Sequence, residues 1–265
     1  MSRLRAFAGR EFELPERPVD GKLMVIVEPR CDPLLPLVIS NFACQLGPLG
    51  WGLMVVHGTQ NRQWLERHPS FRPRDRKRVL WMDLGKKNLS ISDYNALFLD
   101  RDFWRRIRGS GGREVLIFQV DTILLDGERL DREYAGNRYD YVGAPWRRAY
   151  LGMSRVGNGG LSLRRVSKMV EYCRHIDRLR KATPLLLGQE EHCGLDLADL
   201  AAFKRLRNED VLFSIMASCE GGRVPGIEVA SGFSAESLLI DPKPCGLHKP
   251  TCRESEVLQL LRQAR

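Results

Sequence analysis

Glu114-Val115-Leu116-Ile117-Phe118-Gln119-Val120-Asp121-Thr122-Ile123-Leu124-Leu125 is the strongest strand signal in the chain. A near-continuous apolar run of this kind fits a strand covered on both faces. Toward the N-terminus, Leu23-Met24-Val25-Ile26-Val27 is a second such run, ended by Glu28-Pro29-Arg30 because proline cannot continue a ladder. Leu53 to His57, closed by Gly58-Thr59, and Arg78 to Asp83 are further strand candidates. Helical patterns separate them: Leu34 to Leu46, stopped by Gly47-Pro48-Leu49-Gly50; Asn61 to His68; and a helix capped by Ser92 whose apolar face takes Tyr94, Leu97, Phe98, Phe103 and Trp104. Strand–helix alternation with buried strands predicts an α/β sandwich with a mainly parallel central sheet. Ligands of such sheets bind beyond the carboxyl ends of the strands, where Glu28-Pro29-Arg30, Gly58-Thr59 and Asp121 fall.

Past Leu125 the chain changes character, to short loops rich in Gly, Pro and aromatics, a helix from about Arg165 to Arg180, and a polar region from Gln189 to Arg207. No repeat or low-complexity linker divides it. One unit over 1–265 is expected, in two halves over 21–125 and 126–252 with a C-terminal helix over 253–265.

The composition, 43% hydrophobic and 28% charged over 265 residues, is that of a globular protein with ample material for a core. No apolar run approaches the ~20 residues of a membrane span, and Met1 to Lys22 lacks the apolar stretch of a secretory signal. A cytoplasmic protein is expected, with peripheral membrane contact through basic residues as the alternative. The net charge of +9 suggests an anionic partner, and much of the excess lies in Arg62, Arg67, Arg72, Arg74, Arg76, Lys77 and Arg78 and around Arg101 to Arg113. Aromatics do not interleave with these residues as a nucleic-acid stacking platform requires. A diphosphate, an anionic glycan or an anionic lipid fits at least as well.

Seven scattered cysteines do not form a disulfide framework, and Cys44, Cys173 and Cys219 sit in the apolar or helical surroundings of reduced core thiols. Cys245-x-x-His248-x-x-x-Cys252, with His192-Cys193 upstream, offers zinc-type ligands, but the paired C-x-x-C-like knuckles of structural zinc sites are missing.

Several short motifs carry groups suited to diphosphate chemistry. Asp121, two places past Gln119 at a strand end, is placed to hold a divalent cation with hard oxygens, or simply to cap a turn. Asn158-Gly159-Gly160 permits close backbone approach to a bulky ligand, with Ser162 and Arg164 offering a hydroxyl and a cation; an ordinary turn is the plainer alternative. Glu209-Asp210, ahead of the apolar Val211-Leu212-Phe213, supplies candidate general bases or the acidic first turn of a helix. Asp210 is favoured as base, with Glu209 orienting it or binding acceptor, and Asp140 is a rival. His248-Lys249 offers an imidazole ligand and a point charge for a diphosphate. His57 reads as structural, Tyr94 as packed, and Trp146 as a sugar-stacking or core aromatic.

Taken together, Val27-Glu28-Pro29-Arg30, His57-Gly58-Thr59, Phe118-Gln119-Val120-Asp121, Tyr139-Asp140-Tyr141-Val142-Gly143-Ala144-Pro145-Trp146, Gly157-Asn158-Gly159-Gly160-Leu161-Ser162-Leu163-Arg164, Glu209-Asp210-Val211 and Gly246-Leu247-His248-Lys249-Pro250 resemble the recurring phrases of an uncharacterised domain-of-unknown-function family of candidate GT-A-type glycosyltransferases. The resemblance implies a GT-A-like, Rossmann-type sandwich with a nucleotide-binding half over 21–125 and an acceptor-binding half over 126–252. It implies transfer of a hexosyl or pentosyl group from a nucleoside-diphosphate sugar, UDP- or GDP-linked, to a glycan or other hydroxyl acceptor, with inversion. Mn²⁺ or Mg²⁺ is implied as cofactor, held by Asp121, His248 and Gln119, where glutamine replaces the acid of a full metal pair. Glu28, Arg30, Thr59, Asn158, Gly159, Gly160 and Lys249 are implied as donor contacts, and Asp210 with Glu209 as the catalytic acids.

Two other classes compete. A nucleotidyltransferase calls for a Gly-rich basic loop directly after the first strand, where this chain has Glu28-Pro29-Arg30-Cys31. A non-catalytic glycan- or nucleic-acid-binding protein is motivated by Gln119 and the charge of +9.

Overall fold

The computed structural model describes residues 2–152, 154–181 and 197–249. The expected C-terminal helix over 253–265, and with it Cys252, His192 and Cys193, lies outside these residues.

Helix α1 (Ser2–Arg5) leads to β1 (Lys22–Val27), α2 (Leu35–Leu46), β2 (Gly52–His57), α3 (Asn61–Arg67), β3 (Val79–Asp83), α4 (Ile91–Leu99), α5 (Arg101–Gly109) and β4 (Glu114–Phe118). These bear out the alternation read from the apolar runs, with two corrections. Ser90 rather than Ser92 caps α4: its Oγ accepts from the Asp93 amide at 3.0 Å while the Asp93 carboxylate accepts from the Ser90 amide at 3.1 Å, a reciprocal capping box. The expected single helix through Trp104 is two, because Asp100 is extended and its carboxylate caps α5.

A third correction bears on the site. Glu114 to Leu125 is not one strand. It breaks at Gln119–Asp121, where the Thr122 amide and hydroxyl both donate to the Gln119 carbonyl, at 3.1 and 2.6 Å. The chain resumes as β5 (Thr122–Leu124) in a different sheet, pinned by Asn41 of α2, whose side-chain amide bonds both backbone groups of Leu124. The apolar Val120 hides this break in the sequence, since it prolongs the hydrophobic run through the turn.

The rest of the chain forms α6 (Gly127–Tyr134), β6 (Tyr141–Gly143), β7 (Pro145–Tyr150), β8 (Ser154–Val156), β9 (Leu161–Arg165), α7 (Val166–Lys181), α8 (Leu197–Arg205), α9 (Glu209–Cys219), α10 (Ile227–Phe233), β10 (Ser234–Ala235) and β11 (Gly246–His248). The main sheet has the order β3-β2-β1-β4-β9-β6. Its first four strands are parallel, and β9 runs antiparallel to both β4 and β6. Strands from both expected halves therefore share one sheet. A smaller sheet has the order β10-β11-β5.

Successive side chains of the central strands divide between two cores, as a pleat with both faces covered demands. Met24, Ile26, Leu53, Val55, Leu116 and Phe118 pack with Val38, Ile39 and Phe42 of α2. Leu23, Val25, Met54, Val56, Val115 and Ile117 pack with Phe98, Trp104, Met169 and Val211 on the helices of the other face. The register places Val27 beside Val56 and Phe118 beside Leu161. The segments after β1 and β4 and the segment before β9 thus emerge at one sheet edge.

Candidate active site

A cleft of about 500 Å³ opens at that edge. Its walls come from Glu28-Pro29-Arg30 after β1, Gln119–Asp121 after β4, Asn158–Gly160 before β9, the first turn of α9 and the His248-Lys249 end of β11, with the segment from Asn88 to Asn95 as a further side. The structure thus brings together the residues implied as cation ligands, donor contacts and catalytic acids, except Thr59, which is exposed and lies outside the lining, its amide tied to the Lys86 carbonyl.

The first cluster is centred on His248, only 3% exposed. Its Nε2 is 3.2 Å from Gln119 Oε1 and 3.4 Å from Asp121 Oδ1, and its Nδ1 is 3.4 Å from Glu236 Oε1. Asp121 Oδ1 and His248 Nδ1 are buried without a hydrogen-bond partner among the described residues. Burial opposes a charge on the imidazole, but the flanking Asp121 and Glu236 outweigh it and raise the His248 pKa. Against the same burial, His248 holds Asp121 and Glu236 below the ordinary carboxylate range. Gly160 makes this approach possible, since a Cβ there would overlap the imidazole. One carboxylate, one amide oxygen and one imidazole nitrogen, with an orphaned carboxylate oxygen among them, suit a hard divalent cation such as Mn²⁺ or Mg²⁺.

The second cluster is built around an ion pair. Arg164, with no exposed surface, donates to both oxygens of Glu209 at 2.6 and 2.9 Å. The rings of Phe98, Tyr141, Phe213 and Trp104 surround its guanidinium at 5.0, 5.2, 5.7 and 5.8 Å, within cation–π range. Burial works against its charge, and Glu209 overcomes that to hold the Arg164 pKa above its ordinary value. The Glu209 amide donates to Asn95 Oδ1 at 2.8 Å. Asp210, next in sequence, accepts from the Gly159 amide at 3.0 Å and from the Val211 amide at 2.8 Å. Burial raises its pKa against those two hydrogen bonds. Glu209 and Asp210 are the acidic first turn of α9 as well as cleft residues.

Two sequence readings change in this light. Ser162 and Arg164 do not face a ligand: Arg164 Nε donates to Ser162 Oγ, and Ser162 Oγ donates to the Gly159 carbonyl, so both brace the glycine loop from beneath. Neither Gly159 nor Gly160 has a positive φ. They are small because protein side chains crowd them, a Cβ on Gly159 meeting Glu209, Arg164 and Asp210 within 3 Å.

Glu28 and Arg30 form their own bidentate pair, at 2.8 and 2.7 Å, with Arg30 half exposed at the cleft. Lys249 adopts φ 49° with its amide bonded to the Asp121 carbonyl, and its Nζ lies 3.7 Å from Glu236. Asp140 pairs with Arg165 and Arg223 at the opposite end of the sheet, which removes it as a rival base. Cys245 is buried in the core, its thiol pushed up to about 12 by burial, away from any shared site with His248. Much of the basic run is neutralised by the fold: Arg62 pairs with Glu66, Arg72 with Glu11, Arg74 with Glu13 and Arg78 with Asp75. Glu171, His175 and Glu220 also converge, but Lys168 pairs with Glu171, and Arg174 contacts the His175 Nε2.

The sequence reading missed Glu236 and underrated Tyr94, whose hydroxyl is buried on the cleft wall without a hydrogen-bond partner among the described residues. No periodicity marks Ser234-Ala235-Glu236; only the pairing of β10 with β11 makes Glu236 a neighbour of His248.

The sequence matches the profile of the family described as "Protein of unknown function (DUF5672)" over residues 81–248. No curated protein matches it. Among solved structures, it is similar to the galactosyltransferase LgtC in complex with donor and acceptor sugar analogs, at 11% identity and a TM-score of 0.50, over 91% of this chain and 95% of that one. The apo-form glycosyltransferase GlyE of Streptococcus pneumoniae TIGR4 matches at 12% identity and a TM-score of 0.47, over 91% of this chain. The chain spans 62% of the length of GlyE. The fold is that of the GT-A glycosyltransferases.

Proposed function

The chain belongs to the DUF5672 family, and on that premise we propose that it is a glycosyltransferase moving a sugar from a nucleoside diphosphate to a hydroxyl acceptor, with inversion. The observation that carries this reading is the convergence on one cleft of a cation-type donor set, Asp121, His248 and Gln119, with a half-exposed lysine head at Lys249 and a half-buried carboxylate of raised pKa at Asp210. In this reading Asp121, His248 and Gln119 hold Mn²⁺ or Mg²⁺. When bound, the ion neutralises charge on the diphosphate leaving group. Lys249 adds a point charge to the same diphosphate, and Glu28 and Arg30 flank the nucleotide end.

Asp210 takes the proton of the acceptor hydroxyl. Its raised pKa makes it a stronger base than a solvated aspartate, and two backbone amides fix its orientation. Glu209 has both oxygens committed to Arg164, so its part is to anchor the turn that carries Asp210. The Asn158–Gly160 loop brings backbone to the donor while leaving room for the His248 and Asp210 clusters behind it. In this reading the donor side of the one cleft draws on both expected halves, Glu28, Arg30, Gln119 and Asp121 from the first and Asn158–Gly160, His248 and Lys249 from the second, while Asp210 faces the acceptor.

The neutralised basic run favours this reading over a nucleic-acid binder. Incubation with a panel of nucleoside-diphosphate sugars, followed by mass detection of free nucleoside diphosphate and transferred sugar, tests it. Release of nucleoside diphosphate by the wild type, lost in Asp121→Ala and in Asp210→Asn, is expected. Full activity in both variants would overturn the assignment.

A further inference from the structure

The short sheet that carries His248 brings a second carboxylate to its far side. Strand β10 pairs in parallel with β11, Ser234 opposite Gly246 and Ala235 opposite Leu247, so the next step sets Glu236 beside His248. Opposed residues of neighbouring strands project to the same face. Glu236 is 14% exposed at its side chain, and its Oε1 stands 3.4 Å from His248 Nδ1 and 3.7 Å from Lys249 Nζ. On the other side of the ring, Nε2 faces Gln119 and Asp121.

An imidazole that ligates through Nε2 must be neutral and must carry its proton on Nδ1. Here Nδ1 is buried, with no other hydrogen-bond partner among the described residues, and the ring is 3% exposed. A buried N–H needs an acceptor, and the carboxylate across from it is Glu236.

We propose that Glu236 is a positioning residue: it accepts the Nδ1 proton of His248, fixes the tautomer that turns the Nε2 lone pair toward Asp121 and Gln119, and steadies Lys249 at the cleft mouth. This rests on the reading of Asp121, His248 and Gln119 as a cation site. Carboxylates behind ligating histidines typically account for about 10–100-fold in metal affinity.

The test is titration of the full chain with Mn²⁺ alone, counting free ion by electron paramagnetic resonance, in wild type, Glu236→Ala and Glu236→Gln. Glu236→Ala is expected to bind Mn²⁺ about 10–100-fold more weakly. Glu236→Gln, which keeps an acceptor oxygen, is expected to recover most of that loss, a rescue that general loosening of the sheet would not give. Nitrogen-15 resonances of His248 with Mg²⁺ bound should show Nδ1 protonated in wild type, and a loss of that single tautomer in Glu236→Ala. Equal Mn²⁺ affinity in all three proteins would overturn the role of Glu236 while leaving the cation site standing. No Mn²⁺ binding by wild type would remove the cation site and this proposal together, and nucleoside diphosphate binding in that same sample would show that the transferase reading survives them.

Discussion

The two clusters lining the cleft are built in opposite ways. Each guanidinium nitrogen of Arg164 is matched: Glu209 takes two of its hydrogen bonds, Ser162 and the Gly159 carbonyl take two more, and aromatic rings close the box. Around His248, Asp121 Oδ1 is buried with no hydrogen-bond partner among the described residues, the imidazole Nε2 standing 3.4 Å away. A matched buried network rigidifies what it touches, whereas an unmatched one is incomplete until something else joins it. The contrast assigns the tasks: the Arg164 box holds the cleft in shape, and the His248 row is left to meet a ligand. Adjacent residues show the same division, Glu209 consumed by structure and Asp210 keeping a carboxylate at the cleft.

The sharpest way to break this comparison is to empty the matched box. Arg164→Met leaves Glu209 buried without its cation, and a loss of about 3–5 kcal/mol in denaturant unfolding is expected. A loss below about 1 kcal/mol, the level of an exposed pair, would show that the box does not anchor the fold.

Asp210→Asn sharpens the division between the two acids. Transfer should fall by about 10²–10⁴ with the protein still folded. In wild type the pH profile should carry an acid limb from Asp210. Burial raises its pKa, so the protonated, inactive form accumulates as pH falls through a value above the ordinary ~3.9 of aspartate. A limb at or below that value would contradict the assignment.

A smaller effect is expected at the junction of the clusters. Gly160→Ala puts a methyl group into the imidazole of His248, and overpacking of this kind costs about 1–3 kcal/mol. Its Mn²⁺ affinity should fall more than that of Gly159→Ala, whose new methyl meets Glu209, Arg164 and Asp210 instead. Equal effects on Mn²⁺ binding would deny the separation of the two clusters.

The parallel core was legible because strands covered on both faces leave continuous apolar runs, as Leu23 to Val27 and Leu53 to Val56 do. The cleft motifs were legible as residue types at loop positions, and the structure gathers the implied ligand, donor and acid residues apart from Thr59, while Asp140 lies elsewhere. What stayed hidden depends on contacts distant in sequence. Arg164, on β9, looked like a cation for a ligand because nothing local shows that Glu209, from helix α9, neutralises it. Glu236 carried no signal because its importance comes from a two-residue strand pairing. The turn at Gln119–Asp121 was masked by Val120, although that turn is what lifts Asp121 out of the main sheet toward His248.

The most direct measurement of the central claim is a thermal-shift comparison of nucleoside diphosphates with Mn²⁺ and with EDTA, in wild type and in His248→Ala. The account predicts stabilisation by one nucleotide in the presence of Mn²⁺, near 2.7 kcal/mol at about a hundredfold excess over its dissociation constant, lost both in EDTA and in the variant. Stabilisation that persists unchanged in EDTA and in His248→Ala would contradict it, because the nucleotide would then bind without the row that the fold leaves open.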